Sequence, residues 1–233
     1  MKMNENKSKF TDKGQNRFIL SDKTPFRAKE AYKALRTNVM FSLPGTGCKC
    51  IGITSPSPAE GKSTTAINLA ISLAQIDKRV LLIDADMRLP AVAGRLDIKS
   101  EPGFSDFLVG EAKIEDAVRA VEEHGIHVLP AGSIPPDPTG LLEAKQLEHL
   151  LSAVRKIYDY VIVDLPPVNS VPDAVILSKH IDGYLVAVLE KVSRHRDVNE
   201  AMKQMTMAEA NVIGFVLNGG ARTKEKYYKH YYK

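Results

Sequence analysis

A mostly parallel α/β sheet with helices on both faces is the fold class that the 233-residue sequence predicts, on three observations. Apolar, β-branched runs alternate along the chain with helical patterns. Three of these runs, VLLID at 80–84, YVIVD at 160–164 and YLVAVL at 184–189, are apolar on both faces, as strands covered by helices on either side must be. A further run, CIGIT at 50–54, leads through SPSPAEGKST at 55–64 into an amphipathic helical pattern. That strand–loop–helix order is the context a phosphate-binding loop needs.

Residues 1–24 have no sustained apolar period and are expected to form a flexible or loosely docked arm. The spacing of Ala28, Ala31, Leu35 and Val39 on one stripe predicts a helix over 25–42. A strand at 48–54 and a helix at 62–75 flank the phosphate loop. A strand at 79–84 closes on Asp84. A helix at 114–122 precedes a strand at 126–130, and a long helix at 139–157 precedes the strand at 160–164, which closes on Asp164. A helix at 171–179, a strand at 183–189, a helix at 193–208 and a last strand at 213–218 complete the alternation. No internal repeat is visible. Residues 25–221 read as one catalytic-size domain and 222–233 as a separate tyrosine-rich tail, with ligand expected at the C-terminal ends of the strands.

Apolar residues make up 44% and charged residues 26%, enough of the former to bury a core. No run of eighteen apolar residues is present, which argues against a membrane-spanning helix, and the polar N-terminus lacks the apolar stretch of a secretory signal. Cys48 and Cys50 lie too close together for an ordinary bridge, and a reduced cytoplasmic setting is expected. The net charge of +4 belongs to the tail, where Arg222, Lys224, Lys226, Lys229 and Lys233 face Glu225 alone. The rest of the chain is neutral, so composition gives no broad nucleic-acid-binding face.

Three segments carry chemistry. In the first, Gly61 removes a side chain where backbone N–H groups must approach phosphate oxygens, Lys62 supplies a cation to the β- and γ-phosphates, and Ser63 offers a hydroxyl to magnesium. Pro58, Ala59, Glu60 and Thr64 complete the predicted nucleotide-binding loop, while Pro56 stands where the generic pattern has its first glycine. In the second, Asp84 and Asp86 sit at i and i+2 past a buried strand, where carboxylates are costly unless paired or metal-bound. In the third, Asp164 closes a hydrophobic strand, the place for a carboxylate that orients magnesium through water. The six histidines show no metal-ligand spacing. Asp173 reads equally as a residue near the phosphates or as a helix N-cap.

Four of the eight tyrosines, Tyr227, Tyr228, Tyr231 and Tyr232, fall in the last seven residues among lysines. By chemistry alone, this tail is compatible with a docked terminus, a base-stacking arm or a cluster of phosphoacceptors. Nine residues separate Asn218 from Tyr227, a reach of roughly 30 Å when extended, so a tyrosine can enter its own site or a neighbour's. Each phosphate adds about −1.5 to −2 charge, enough for four of them to turn the tail net negative. Progressive phosphorylation is therefore expected to release the tail and loosen an assembly, a change that size-exclusion chromatography would register.

Taken together, the motif SPSPAEGKST, the segment VLLIDADMRLP at 80–90 and the segment YVIVDLPP at 160–167 resemble those of the bacterial tyrosine kinases of the capsule and exopolysaccharide type, relatives of the MinD/ParA-like P-loop ATPases. The resemblance extends from about residue 25 to the end. It includes EAYKALRTN at 30–38, PPDP at 135–138 and the closing YYKHYYK. It implies a protein-tyrosine autokinase that uses ATP and Mg²⁺, phosphorylates its own tail in trans within a ring and regulates polysaccharide synthesis and export. In that reading Lys62 and magnesium neutralise the transferred group, Ser63 and Asp86 help hold the metal, Asp164 orients its water, and Asp84 accepts the tyrosine proton. Asn218 resembles the position that reads adenine in related ATPases, the alternative being a turn residue before Gly219.

The same resemblance implies subunit contacts through Glu30, Lys33 and Arg36, whose default reading is a solvated helix face. It also implies a membrane-bound activator of the polysaccharide co-polymerase type that recruits a cytoplasmic kinase to the inner face of the membrane, and a cognate tyrosine phosphatase. No nucleic acid is expected. Two departures stand out: Lys33 takes the place of a usual arginine, weakening any bidentate contact, and Ala59 replaces a frequent glycine, which is tolerable where φ is negative. The alternatives are a MinD/ParA-like positioning ATPase and a nucleotide-gated regulatory scaffold without kinase activity. Against the first stand Ser57, where such proteins carry a signature lysine, and a tail with no apolar stripe.

Overall fold

The computed structural model describes residues 18–219. Seven strands form one sheet: β1 (Lys49–Thr54), β2 (Val80–Asp84), β3 (Arg119–Val121), β4 (Ile126–Leu129), β5 (Tyr160–Asp164), β6 (Gly183–Leu189) and β7 (Val212–Asn218), in the order β3-β4-β2-β5-β1-β6-β7. Every pairing is parallel except β3 with β4. The helices are α1 (Phe26–Ser42), α2 (Lys62–Ala74), α3 (Val92–Leu96), α4 (Phe104–Leu108), α5 (Ile114–Ala117), α6 (Pro138–Leu142), α7 (Lys145–Ile157), α8 (Asp173–Ile176) and α9 (His195–Met207). No helix among the described residues is long and apolar enough to cross a membrane.

Side chains alternate across a strand, so a strand apolar at every position must feed two cores. That is what happens. Leu81, Ile83, Val161 and Val163 enter one core with Leu150, Leu151 and Val154 of α7, Leu142 of α6 and Met205 of α9. Leu82, Ile51, Ile53 and Ile162 enter the other with Ile67, Ala70 and Ile71 of α2, Val39 of α1 and Val92 of α3. Helix α2 is buried along nearly its whole length, which fixes the phosphate loop at its head to the middle of the sheet.

The predicted arm is docked where it is described. Ile19 and Leu20 are buried against the α1–α2 core. Asn68 of α2 holds the segment with both ends of its amide: Oδ1 accepts the Leu20 N–H at 2.8 Å and Nδ2 donates to the Phe18 carbonyl at 2.8 Å.

Three predicted helices are corrected. The segment 114–122 is helical only over α5; Val118 turns extended, and residues 119–121 pair with β4 as Arg119↔Val128 and Val121↔Ile126. An available sheet edge outweighs weak local helix preference there. The segment 139–157 is two helices, because Asp137 caps a first short one by accepting the Gly140 N–H at 3.1 Å with Pro138 at its first position. The amphipathic face of Leu147, Leu150, Leu151 and Val154 then begins afresh in α7. The segment 171–179 is α8 followed by a single 3₁₀ turn, Leu177–His180. Helices α3 and α4 have too few residues to show a sequence period.

Candidate active site

Parallel strands deliver their C-terminal ends to one edge, and the strand order decides which ends become neighbours. Strand β5 lies between β2 and β1, so Asp84 and Asp164 are direct register partners and Ile53 of β1 lies beside Asp164. Residues 111 and 80 positions apart in sequence are thereby set around one loop. The Thr54 hydroxyl donates to the Pro166 carbonyl at 2.7 Å and the Val168 N–H donates to the Ser55 carbonyl at 2.9 Å, locking the segment after β5 to the loop after β1.

Lys62 opens α2 and points into this cluster. Its Nζ lies 2.7 Å from Asp86 Oδ2, 3.6 Å from Asp164 Oδ1 and 3.4 Å from Ser63 Oγ. Burial alone would lower the Lys62 pKa; Asp164 and Asp86 outweigh it and hold the ammonium above its ordinary value. Asp84 is organised differently. Its Oδ2 accepts the N–H groups of Ala91 and Val92 at 3.1 and 3.0 Å, and its Oδ1 accepts that of Asp86 at 3.2 Å. Burial, reinforced by the adjacent Asp164 charge, pushes the Asp84 carboxyl up to about 7. Asp164 is fully buried, and neither of its oxygens has a hydrogen-bond partner among the described residues. Burial raises its pKa too, with Lys62 opposing. A buried carboxylate left this way is an acceptor set awaiting a partner.

The loop itself is held from behind. Pro58 and Ala59 are exposed at its crest, whereas Glu60 and Ser63 are buried. Gly61 sits at φ +90, and a Cβ there would lie 2.6 Å from Asn218 Nδ2. Asn218, a candidate adenine reader or turn residue from sequence, donates Nδ2 to the Glu60 carbonyl at 2.8 Å and to Thr65 Oγ1 at 3.3 Å. The Glu60 carboxylate, counted with the nucleotide contacts, is engaged with the protein: Oε2 accepts the Ser57 N–H at 2.8 Å and Oε1 accepts the Ser193 hydroxyl.

Ala59 is a correction. Its φ is +63, in the left-handed region where a Cβ crowds the backbone, so the condition under which alanine is tolerable there, a negative φ, is not met. Ala59→Gly is therefore expected to raise stability by roughly 0.5 kcal/mol, the relief of strain less the extra freedom of the unfolded chain. A thermal melt with retained activity checks it; a lower melting temperature would show that the loop is unstrained.

The other predicted residues divide. Glu30 and Lys33 form an exposed pair at 2.7 Å on α1, while Arg36 Nη1 donates to the Ser72 carbonyl at 2.6 Å and so also ties α1 to α2. Tyr227, Tyr228, Tyr231 and Tyr232 lie outside the described residues. Asp173 is the first residue of α8, fully buried; Arg88 Nε donates to its Oδ2 at 3.4 Å and Thr139 Oγ1 to its Oδ1 at 3.0 Å, with Arg88 Nη2 on Thr139 Oγ1 at 2.8 Å. This knot joins the segment after β2 to the first turns of α6 and α8 beside the site. In sequence Arg88 is visible only as part of the 80–90 segment, and Thr139 and Ser193 carry no signal, because a lone hydroxyl has no periodicity.

A family model described as an AAA domain matches residues 48–206. The chain is 36% identical over 202 residues to the tyrosine-protein kinase YwqD of Bacillus subtilis, covering 87% of this chain and 85% of that one. Among solved structures, the kinase domain of the Escherichia coli tyrosine kinase ETK superposes with a TM-score of 0.81 at 31% identity, covering 84% of this chain and 77% of that one. The septum site-determining protein MinD of Pyrococcus horikoshii superposes at 0.62 with 22% identity over 75% of this chain and 72% of that one, a likeness of fold.

Proposed function

Because the chain belongs to the family of bacterial tyrosine kinases built on a MinD-like fold, we propose that it transfers the γ-phosphoryl group of ATP to the tyrosines of its own C-terminal cluster. The observation that carries the site assignment is the convergence on the phosphate loop of Lys62, Asp86 and Asp164, the last with no hydrogen-bond partner among the described residues. The donor set fits magnesium, a hard cation that takes a few oxygen ligands and keeps several waters. Ser63 and Asp86 would hold it directly and Asp164 through water. When bound, magnesium supplies charge neutralisation on the triphosphate.

The chain's own residues supply the rest. The loop from Pro58 to Thr64 presents backbone N–H groups to the phosphates, with Gly61 keeping a side chain out of their way. Lys62 holds the β- and γ-phosphates from the head of α2. Asp84 is fixed by three backbone N–H groups, and its carboxyl, lifted to about 7, is closer in affinity for a proton to a tyrosine phenol than an ordinary aspartate is. We assign it the phenolic proton. Asn218 retains adenine contact as its proposed second task.

In the same reading the kinase acts in the control of capsule or exopolysaccharide synthesis, and we propose that it works as a ring of copies with a membrane-bound activator that recruits it and a phosphatase that resets it; the likeness to capsule-associated tyrosine kinases supports this. Glu30 and Lys33 are the exposed α1 groups we assign to the ring contact. The test is incubation of purified protein with labelled ATP and Mg²⁺, with and without the activator's cytoplasmic segment. Label confined to Tyr227, Tyr228, Tyr231 and Tyr232, and lost when all four become phenylalanine, is the expected result. Free phosphate without labelled protein would point to a positioning ATPase, and neither product to a scaffold.

A further inference from the structure

Glu60 sets a buried carboxylate within the loop that must receive a triphosphate, and a negative charge there opposes binding unless it is held elsewhere. The structure holds it elsewhere. One oxygen takes the Ser57 N–H, and the other takes the hydroxyl of Ser193. Ser193 is itself fixed: its Oγ accepts the Leu189 N–H at 2.7 Å, and its N–H donates to the Leu189 carbonyl at 2.9 Å. The turn between β6 and α9, with Lys191 at φ 65, thus presents a single oriented hydroxyl to the loop. From the end of β7 the Asn218 amide holds the Glu60 carbonyl. Two strand ends that contribute nothing to the carboxylate cluster therefore grip the loop through one residue.

We propose that Ser193 is a positioning residue for phosphotransfer, keeping the Glu60 carboxylate turned into the protein so that the loop's N–H groups and Lys62 remain available to nucleotide. The proposal rests on the nucleotide-binding reading of the loop. Without the hydroxyl, one carboxylate oxygen loses its donor in a buried place. That oxygen then competes for the loop's own N–H groups and for Lys62, the groups a phosphate needs. Nucleotide must then displace an internal anion before it binds. KM for ATP rises while kcat changes little, because once nucleotide has displaced that anion Lys62, Asp86 and Asp164 act as in the parent.

Steady-state phosphotransfer and binding of a fluorescent ATP analogue with Mg²⁺ test this on the full chain. Ser193→Ala is expected to raise KM and the analogue's Kd about tenfold, the factor that one lost hydrogen bond to a charged group produces. Ser193→Thr, which keeps the hydroxyl, restores both. In a Glu60→Gln background, where no anion remains to be held, Ser193→Ala adds no further rise. An unchanged KM in Ser193→Ala overturns the proposal, as does a fallen melting temperature with KM intact. Additive effects in the Glu60→Gln background also overturn it, since Ser193 would then not act through Glu60. Lys62→Met separates the two levels: if it loses analogue binding while Ser193→Ala does not, only this inference fails. If the wild-type chain does not bind the analogue, the nucleotide reading fails with it.

Discussion

Lys62→Met is expected to abolish tyrosine phosphorylation, lowering transfer by about 10³-fold or more, the scale on which removing a cation from a developing phosphoryl charge acts. The same change removes the cation paired with two buried carboxylates, Asp86 at 2.7 Å and Asp164 at 3.6 Å. Breaking a buried pair by deleting one member costs about 3–5 kcal/mol before the orphaned acid takes up a proton. The variant should therefore melt well below the parent at neutral pH and recover toward it in acid. Intact mass reads the activity, as the disappearance of additions of about 80 Da, the mass of a phosphoryl group, and thermal melts at two pH values read the stability. Phosphate additions persisting in Lys62→Met would show that the catalytic cation lies elsewhere and undo the site assignment.

Asp164→Asn is expected to separate function from stability. Transfer falls by about 10²-fold, since the carboxylate that orients the metal's water is lost. Stability of the nucleotide-free, magnesium-free protein rises, because both Asp164 oxygens are buried without hydrogen-bond partners among the described residues. The pH dependence follows from the sign of the shifts. Asp84 and Asp164 both have folded-state pKa values above their unfolded values, Asp84 at about 7. An acid of this kind contributes stability that is fully present below its unfolded pKa near 4 and is lost as pH rises toward its folded pKa. The parent protein in a chelator should thus lose stability between about pH 4 and 7, and Asp164→Asn should flatten that decline. A lower melting temperature for Asp164→Asn at pH 7, with transfer intact, would mean that Asp164 is a structural anion.

The loop and its three aspartates were legible from sequence because each ends or follows a strand that announces itself by being apolar on both faces. The segments 80–84 and 160–164 declare both the strand and the terminal carboxylate. Helix 139–157 failed as a single helix because Asp137 and Pro138 start a short turn whose cap competes with the longer pattern. Helix 114–122 failed because the edge of β4 was available to residues 119–121, and a sheet edge is visible only in three dimensions.

By itself the sequence determined the class of fold, the phosphate loop and the acids that serve it, since burial on both faces and a glycine before a lysine are local facts written residue by residue. Tertiary structure alone decided how the acids differ. Asp84 became an acid of raised pKa because it is buried beside Asp164 of β5, while the Ala91 and Val92 N–H groups fix it in place; Asp86 lies nearest the lysine, and Asp164 is 3.6 Å from that lysine with no hydrogen-bond partner among the described residues. It also turned Glu60 inward onto Ser193 and gave Ala59 a positive φ. A residue's charge state and conformation are set by whichever strand ends and amide groups surround it, and those neighbours lie anywhere from 7 residues away, as Ala91 from Asp84, to 133, as Ser193 from Glu60.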